Sequence, residues 1–130
     1  MKSFNTVERA TINQTICFDF DGVIHSYTSG WQGVDNIPDP PTEGCKETIN
    51  LLKKKGHRIV VHSTRCQTQE GREAIGNYLL THDIEVDEIC THKPAAIIYI
   101  DDRAIQFNGN WNETMESISN FDHWLGFDDV

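Results

Sequence analysis

Two pairs of aspartates are spaced so that each pair could hold a metal ion or share a proton. Asp19 and Asp21 stand two residues apart at the end of one apolar run, and Asp101 and Asp102 follow another. In an extended strand, residues two apart point to the same side. Like charges held that close repel each other unless a cation or a shared proton lies between them. The alternative for the first pair is that one aspartate caps a turn while the other is solvated.

The elements that must position these acids are strands that alternate with helices. Apolar and β-branched runs predict the strands, and helical spacing that ends in a lysine run and Gly56 indicates a helix C-terminus. The predicted strands cover 15–20, 58–62, 86–90, 95–100 and 105–107, and the predicted helices cover 42–55, 68–82 and 111–125. This alternation predicts an α/β fold, a three-layer, Rossmann-like, mainly parallel sheet with helices on both faces.

The remaining segments are expected to be irregular. Residues 1–14 are predicted to be a leader or an edge segment, 24–37 a small flap hairpin, and 126–130 a frayed tail. The sequence contains no repeat and no domain linker, so we predict a single domain over 1–130.

The acidic composition limits the classes of partner. The formal net charge of the 130 residues is -9, which disfavours stable binding to polynucleotides or anionic membranes because both require clustered cations. The same charge suits a site that gathers metal cations. The four scattered cysteines lack CxxC spacing and are expected to be reduced. With no signal-peptide or membrane-spanning pattern, the protein is expected to be cytoplasmic.

Polar residues beside the predicted strands should meet at one edge of the sheet, because parallel sheets gather reactive residues beyond the carboxyl ends of their strands. Ser63-Thr64-Arg65 follows the strand 58–62, and Lys93 precedes the strand 95–100. Grouped carboxylates without His or Cys at ligand spacing favour a hard, oxygen-seeking cation, with Mg²⁺ as the first choice. One carboxylate could then attack a phosphoryl group while another transfers a proton.

Four segments, taken in order, resemble the motifs of the haloacid dehalogenase (HAD) superfamily. They are Asp19-Phe20-Asp21-Gly22-Val23, Ile59-Val60-Val61-His62-Ser63, Lys93, and Ile100-Asp101-Asp102-Arg103. Two stretches, Ser63-Thr64-Arg65 and the last of the four motifs, also resemble the polynucleotide kinase 3′-phosphatase domain and small phage or bacterial HAD phosphatases. The resemblance spans about 15–111. It implies a HAD-like fold and Mg²⁺-dependent hydrolysis of phosphomonoesters through an aspartyl phosphate.

The resemblance implies a role for each motif residue. Asp19 would be the nucleophile and a metal ligand. Asp21 would be the general acid and base, with its backbone carbonyl on the metal. Ser63 would donate a hydrogen bond to a phosphoryl oxygen, and Lys93 would bind Asp19 and the phosphate.

The fourth motif would complete the metal site. Asp102 is favoured as the direct ligand and Asp101 as the residue that orients water or the lysine, although the sequence leaves the choice between the two open. Arg65 is a candidate for an additional contact to the substrate phosphate. Gly22 and Thr64 are included among the substrate-binding candidates.

The spaces between the motifs are too short for a folded cap domain. The site should therefore be open, covered only by the flap 24–37, and a second subunit could supply further cover. His25, Tyr27 and Trp31 lie in the flap. They could stack on a base or sugar. Together with the family resemblance, this slightly favours nucleotides or nucleic-acid ends over sugar phosphates. Burial of the flap against the domain explains these aromatic residues about equally well.

Two departures from the family pattern and two alternative functions remain. Val23 stands where many members carry Thr, and Lys93 precedes Asp101 closely, leaving little room for the helix that usually separates those motifs. A solvated loop cation is the alternative for Lys93.

One alternative function is a receiver-like binding module, although a receiver would carry its adjacent acids on the first strand. The other is a catalytically weak HAD-fold interaction protein.

Overall fold

The structure, a computed structural model, describes residues 14–121. The chain divides into two compact units, one that ends at Ile100 and one that begins at Asp101, and each is described by itself. The single domain predicted over 1–130 stays a prediction. The predicted leader, apart from Gln14, and the predicted tail 126–130 lie outside the described residues.

Four short parallel strands form the sheet of the first unit, in the order β3-β2-β1-β4. Their bounds are Thr15–Phe18 (β1), Arg58–His62 (β2), Glu88–Cys90 (β3) and Ile98–Ile100 (β4). The α/β class with a mainly parallel sheet is thereby confirmed. β1 lies inside the sheet between β2 and β4, so the residues that follow β1 emerge between two neighbouring strand ends.

Two helices of the first unit connect the strands. They are α1 (Cys45–Lys54) and α2 (Gln69–Thr81), and a short 3₁₀ segment, Thr64–Gln67, precedes α2. The crossovers from β1 to β2 and from β2 to β3 run in the same direction, so right-handed connections put both helices on one face of the sheet. The main apolar core contains residues from β1, β2 and both helices, which agrees with this arrangement.

The two faces of the sheet differ in what they bury. The face that packs against the helices holds a continuous core that includes Phe18, Val61 and Ile75. The other face carries a smaller buried cluster of Cys17, Val60 and Cys90. All four cysteines are free, as predicted.

The second unit contains α3 (Trp111–Ser119). Asn110 caps its N-terminus, since the Asn110 side chain accepts the Glu113 N–H at 3.1 Å. The part of the predicted helix beyond Phe121 lies outside the described residues. The predicted strand 105–107 is wrong, because this segment is irregular in the structure. Its last residue, Phe107, instead packs its ring against Trp111.

The predicted flap hairpin is also wrong. Only isolated bridges, Asp21 to His25 and His25 to Pro41, occur around this segment. Tyr27 has a φ of 61°, a left-handed conformation that interrupts an extended strand. Side chains rather than a strand ladder hold the flap. No helix in the described range 14–121 is long and apolar enough to cross a membrane.

Candidate active site

The carboxyl ends of β1, β2 and β4 bring several motif residues to one edge of the sheet. Asp19 directly follows β1, and its N–H donates to the carbonyl of Ile100, the last residue of β4, at 2.9 Å. Ser63 directly follows β2. Asp101 is joined to Ile100 by the next peptide bond, so its backbone begins where β4 ends.

Asp21 sits in a tight turn that begins after Phe20. Gly22 has a φ of 86°, a conformation that glycine adopts without strain. The Gly22 N–H donates to the carbonyl of His25 at 2.8 Å, and the His25 N–H donates back to the carbonyl of Phe20 at 3.0 Å. This turn folds His25 back toward the carboxylate of Asp21.

Both carboxylate oxygens of Asp21 accept a hydrogen bond from a buried side chain. His25 Nδ1 lies 2.9 Å from Asp21 Oδ1, and Arg65 Nε donates to Asp21 Oδ2 at 2.8 Å. Both partner side chains are completely buried, while that of Asp21 is 14% exposed. The carboxyl group therefore cannot rotate about its Cβ–Cγ bond without breaking both hydrogen bonds, yet it remains accessible at the edge of the sheet.

The hydrogen bonds of His25 fix its tautomer. The backbone N–H of Asp39 donates to His25 Nε2 at 3.1 Å, and an N–H can only donate. Nε2 therefore carries no proton, and the proton of the neutral ring lies on Nδ1, where it is directed at Asp21. The rings of Phe20, Tyr27 and Tyr78 surround the imidazole at centroid distances of 5.6 to 5.7 Å.

Arg65 joins Asp21 to the flap. Its Nη1 donates to the carbonyl oxygens of Gly33 at 2.7 Å and Val34 at 2.9 Å. Its guanidinium carbon lies 4.5 Å from the centroid of the Trp31 ring, in a cation–π arrangement. Nη2 is buried without a hydrogen bond among the described residues. Arg65 was predicted to contact a substrate phosphate, whereas its hydrogen-bond partners in the structure lie within the protein.

Asp39, two residues beyond the flap, binds residues within it. Its carboxylate accepts hydrogen bonds from the N–H of Ser29 at 2.8 Å and from the Ser29 hydroxyl at 2.6 Å. The hydroxyl, followed by the N–H, lowers the pKa of the Asp39 carboxyl from its ordinary value. The Asp39 carbonyl accepts the hydroxyl of Tyr78 at 2.9 Å. Asp39 thus joins Ser29 and His25 of the flap to Tyr78 of helix α2.

The two flap residues predicted to stack on substrate have different environments. Tyr27 is buried and packs edge-on against His25, which agrees with burial of the flap rather than with stacking. Trp31 is 54% exposed, with the guanidinium of Arg65 against its ring. Of the two, only Trp31 offers ring surface to a ligand.

The residues near the end of β2 retain capacity for hydrogen bonding. The buried Ser63 hydroxyl accepts the N–H of Arg65 at 3.2 Å, which leaves its own proton to donate. Thr64 is exposed at the start of the 3₁₀ segment. The pKa of His62 is lowered, first by burial and then by the positive charges of Lys93 and His92. His62 is paired with Cys90 at the end of β3, and Lys93 follows three residues later, so Lys93 lies near the carboxyl ends of β2 and β3.

Lys93 is exposed in the loop between β3 and β4. Its Nζ lies 4.5 Å from the centroid of the Tyr99 ring. Among the described residues, no ion pair joins Lys93 to a carboxylate. The structure thus keeps Lys93 near the strand ends but leaves its predicted contact with Asp19 unmade.

Within the second unit, the two acids of the fourth motif differ in exposure. Asp101 is exposed, and its Oδ1 accepts the N–H of Arg103 at 2.8 Å. Asp102 is partly buried.

Two residues that organise this edge are not among the site residues predicted from the sequence. His25, predicted only as a stacking residue, binds Asp21, and Asp39 in turn binds His25. The spacing of four between Asp21 and His25 was a usable signal, since a glycine turn lies between them. The sequence offers no such signal for Asp39, because Asp39 binds His25 across fourteen residues of irregular chain.

Comparisons with known proteins support the fold. No protein-family model matches the chain, and no curated protein matches it. Among solved structures, the chain is similar to a conserved protein of Bacteroides thetaiotaomicron, with a TM-score of 0.55 and 23% identity over 91% of this chain and 99% of that one. It is also similar to a structural-genomics target from Vibrio cholerae, with a TM-score of 0.52 and 20% identity over 79% of this chain and 94% of that one.

Proposed function

We propose that this protein is a Mg²⁺-dependent phosphohydrolase of the HAD type that acts on phosphomonoesters. The observation that carries the proposal is the hydrogen bond of 2.9 Å between the Asp19 N–H and the carbonyl of Ile100. It joins the end of the strand that carries the first aspartate pair to the end of the strand that leads into the second. Acids that leave neighbouring parallel strands at one edge are suited to a shared site.

Three carboxylates are the candidates to hold the ion, those of Asp19, Asp101 and Asp102. The backbone carbonyl of Asp21 would add a fourth ligand. All of these donors are oxygens, which fits a hard cation such as Mg²⁺ better than zinc or another soft metal. When bound, the ion would supply positive charge beside the phosphoryl group.

The proposed reaction has two displacements at phosphorus. In the first, a carboxylate oxygen of Asp19 forms a bond to phosphorus while the bond to the leaving oxygen breaks, and Asp21 transfers its proton to that oxygen. In the second, Asp21 takes a proton from water, and the water oxygen bonds to phosphorus. The bond between phosphorus and Asp19 then breaks and releases inorganic phosphate.

Two further side chains would bind the phosphoryl oxygens. Ser63 keeps a hydroxyl proton to donate after accepting the Arg65 N–H. Lys93 would supply positive charge after leaving the Tyr99 ring, which is feasible for an exposed lysine with four rotatable side-chain bonds. We assign Arg65 to Asp21 and the flap rather than to direct contact with phosphate, because its guanidinium is buried.

The substrate class we propose is a phosphorylated small molecule, with nucleotides or nucleic-acid ends preferred. The exposed Trp31 supports this preference, because an aromatic ring can stack on a base. The net charge of -9 opposes stable binding to a long polynucleotide. A cytoplasmic location and a homo-oligomer that covers the open site remain predictions.

The test is a phosphatase assay over a broad panel of phosphate esters, with and without Mg²⁺. Asp19→Asn should abolish Mg²⁺-dependent turnover while the protein stays folded. Asp83→Asn is the matched control, since Asp83 is exposed and paired with Lys46, and it should retain wild-type activity. Full activity of Asp19→Asn would refute its role as nucleophile. A folded wild-type protein that turns over no ester would favour the binding-module alternative.

A further inference from the structure

The buried imidazole of His25 has hydrogen bonds on both ring nitrogens, one to the Asp21 carboxylate and one to the backbone of Asp39. Nδ1 lies 2.9 Å from Asp21 Oδ1, and Nε2 accepts the Asp39 N–H at 3.1 Å. The side chain is completely inaccessible to solvent. A buried histidine with both nitrogens satisfied is held in one orientation and one tautomer.

We propose that His25 is a positioning residue for Asp21, holding the proposed general acid and base through Nδ1–H while its Nε2 is anchored on the backbone N–H of Asp39. This inference rests on the proposed function and adds to it the residue that aims the acid. His25 is not a catalytic residue in this scheme, since it touches Asp21 and not the reacting atoms.

His25 and Arg65 hold the two oxygens of the Asp21 carboxylate separately. Each binds one oxygen of Asp21, and each also binds backbone. His25 accepts the N–H of Asp39, beyond the flap, and Arg65 donates to the carbonyls of Gly33 and Val34 within it. Each carboxylate oxygen has two lone pairs, so each keeps one lone pair for a substrate oxygen or for water. Loss of the His25 hydrogen bond would leave Asp21 held through Oδ2 alone, and the carboxyl group could then tilt out of line with the leaving oxygen.

The drop in kcat caused by losing the His25 hydrogen bond should depend on the leaving group of the ester. An alkoxide leaving group needs a proton as its bond to phosphorus breaks, whereas p-nitrophenolate is a stable anion that needs little assistance. General acid catalysis typically contributes about 10²- to 10⁴-fold, so misalignment of Asp21 should slow an alkyl ester far more than p-nitrophenyl phosphate. A merely structural role would lower both activities by the same factor.

Two substitutions of similar size separate the two nitrogens of the ring. The amide of His25→Asn reaches the position of Nδ1 and can still donate to Asp21. The amide of His25→Gln reaches the position of Nε2 and can still accept from Asp39, but it leaves Asp21 without this donor. Because both variants keep a polar side chain in the same pocket, a difference between them reports on the hydrogen bond to Asp21.

The experiment measures kcat and KM with Mg²⁺ for p-nitrophenyl phosphate and for glycerol phosphate, in wild type and in both variants, with folding checked by circular dichroism. We expect His25→Gln to lower kcat for glycerol phosphate at least about tenfold more than kcat for p-nitrophenyl phosphate. His25→Asn should restore most of that difference. KM should change little in either variant. The same two substitutions at His82, which packs on Tyr78 at 4.4 Å, are matched controls and should not discriminate between the esters.

Equal losses on both esters in a folded His25→Gln would overturn the positioning role, as would equal behaviour of the Asn and Gln variants. If His25→Gln does not fold, the test rests on the folded His25→Asn variant. A kcat ratio between the two esters that stays close to the wild-type ratio in His25→Asn supports the positioning role, and a ratio shifted about tenfold against glycerol phosphate overturns it. If neither variant folds, a purely structural role replaces the proposed one. Failure of wild type to turn over either ester would instead refute the proposed function.

Discussion

Replacement of Arg65 by methionine tests how strongly the site is tied to the flap. The change removes one buried ion pair, Arg65 Nε to Asp21 Oδ2 at 2.8 Å, and two hydrogen bonds to flap carbonyls. Breaking a buried pair by removing one partner costs about 3–5 kcal/mol, because the remaining charge is left without its partner. Domains of this kind have only about 5–15 kcal/mol of stability in total. We therefore expect Arg65→Met to be folded but severely destabilised.

Urea unfolding at constant pH measures this loss. With a slope of about 2 kcal/mol per molar urea, a loss of about 4 kcal/mol lowers the unfolding midpoint by about 2 M. Arg58→Met is the matched control, since Arg58 pairs with Glu88 on the surface, and an exposed pair contributes only about 0–1 kcal/mol. If Arg65→Met loses less than about 1 kcal/mol, or no more than Arg58→Met, the buried pair does not hold this edge of the protein as argued.

Two further predictions concern helix α2 and the flap. A Cβ at Gly71 would lie 1.9 Å from the carbonyl oxygen of Arg65, whereas a Cβ at Gly76 would meet nothing closer than 3.7 Å. In thermal or urea unfolding, Gly71→Ala should therefore lower the free energy of unfolding by at least about 3 kcal/mol, while Gly76→Ala should raise it by up to about 1 kcal/mol. Equal stability of the two variants would contradict this packing. Because the Ser29 hydroxyl lowers the pKa of Asp39 in the folded state, the stability it contributes is present above the ordinary pKa of 3.8 and is lost as the pH falls through the lower, folded value. Asp39→Asn should flatten this acid limb in urea midpoints measured at decreasing pH, and an unchanged limb would refute the assignment.

Much of the fold could be predicted because local signals agree with the tertiary structure. The β-branched run 58–62 is a strand with the predicted bounds. The predicted helix 68–82 exists as Gln69–Thr81, with Thr68 as its cap. Its cap hydrogen bond, from the Gly71 N–H to the Thr68 hydroxyl oxygen at 3.0 Å, is local, so a sequence pattern can reveal it.

The predictions failed where long-range contacts decide the conformation. The flap contains alternating aromatic and turn residues that suit a hairpin, but its ordering comes from Arg65, which is 31 and 32 residues away from the two carbonyls it binds. The segment 105–107 has strand-like residues, yet Phe107 packs against Trp111 in its own unit. In both places, side-chain contacts outweigh the weak intrinsic preference for extended structure.

The same distances along the chain bear on how the site assembles. Asp21 lies three residues beyond β1 and Arg65 three residues beyond β2. They are 44 residues apart in the chain, so their ion pair requires that β1 and β2 are already paired. The hydrogen bonds from Arg65 to the flap carbonyls of Gly33 and Val34 likewise require the paired sheet, and they offset part of the entropy cost of closing this loop. His25 gives Asp21 a local partner that is available as soon as the glycine turn forms, whereas Arg65 supplies the long-range one. The orientation of Asp21 is thus coupled both to the local turn and to the integrity of the sheet. Substitutions that weaken the β1–β2 pairing should for that reason disturb Asp21 even where they lie far from it.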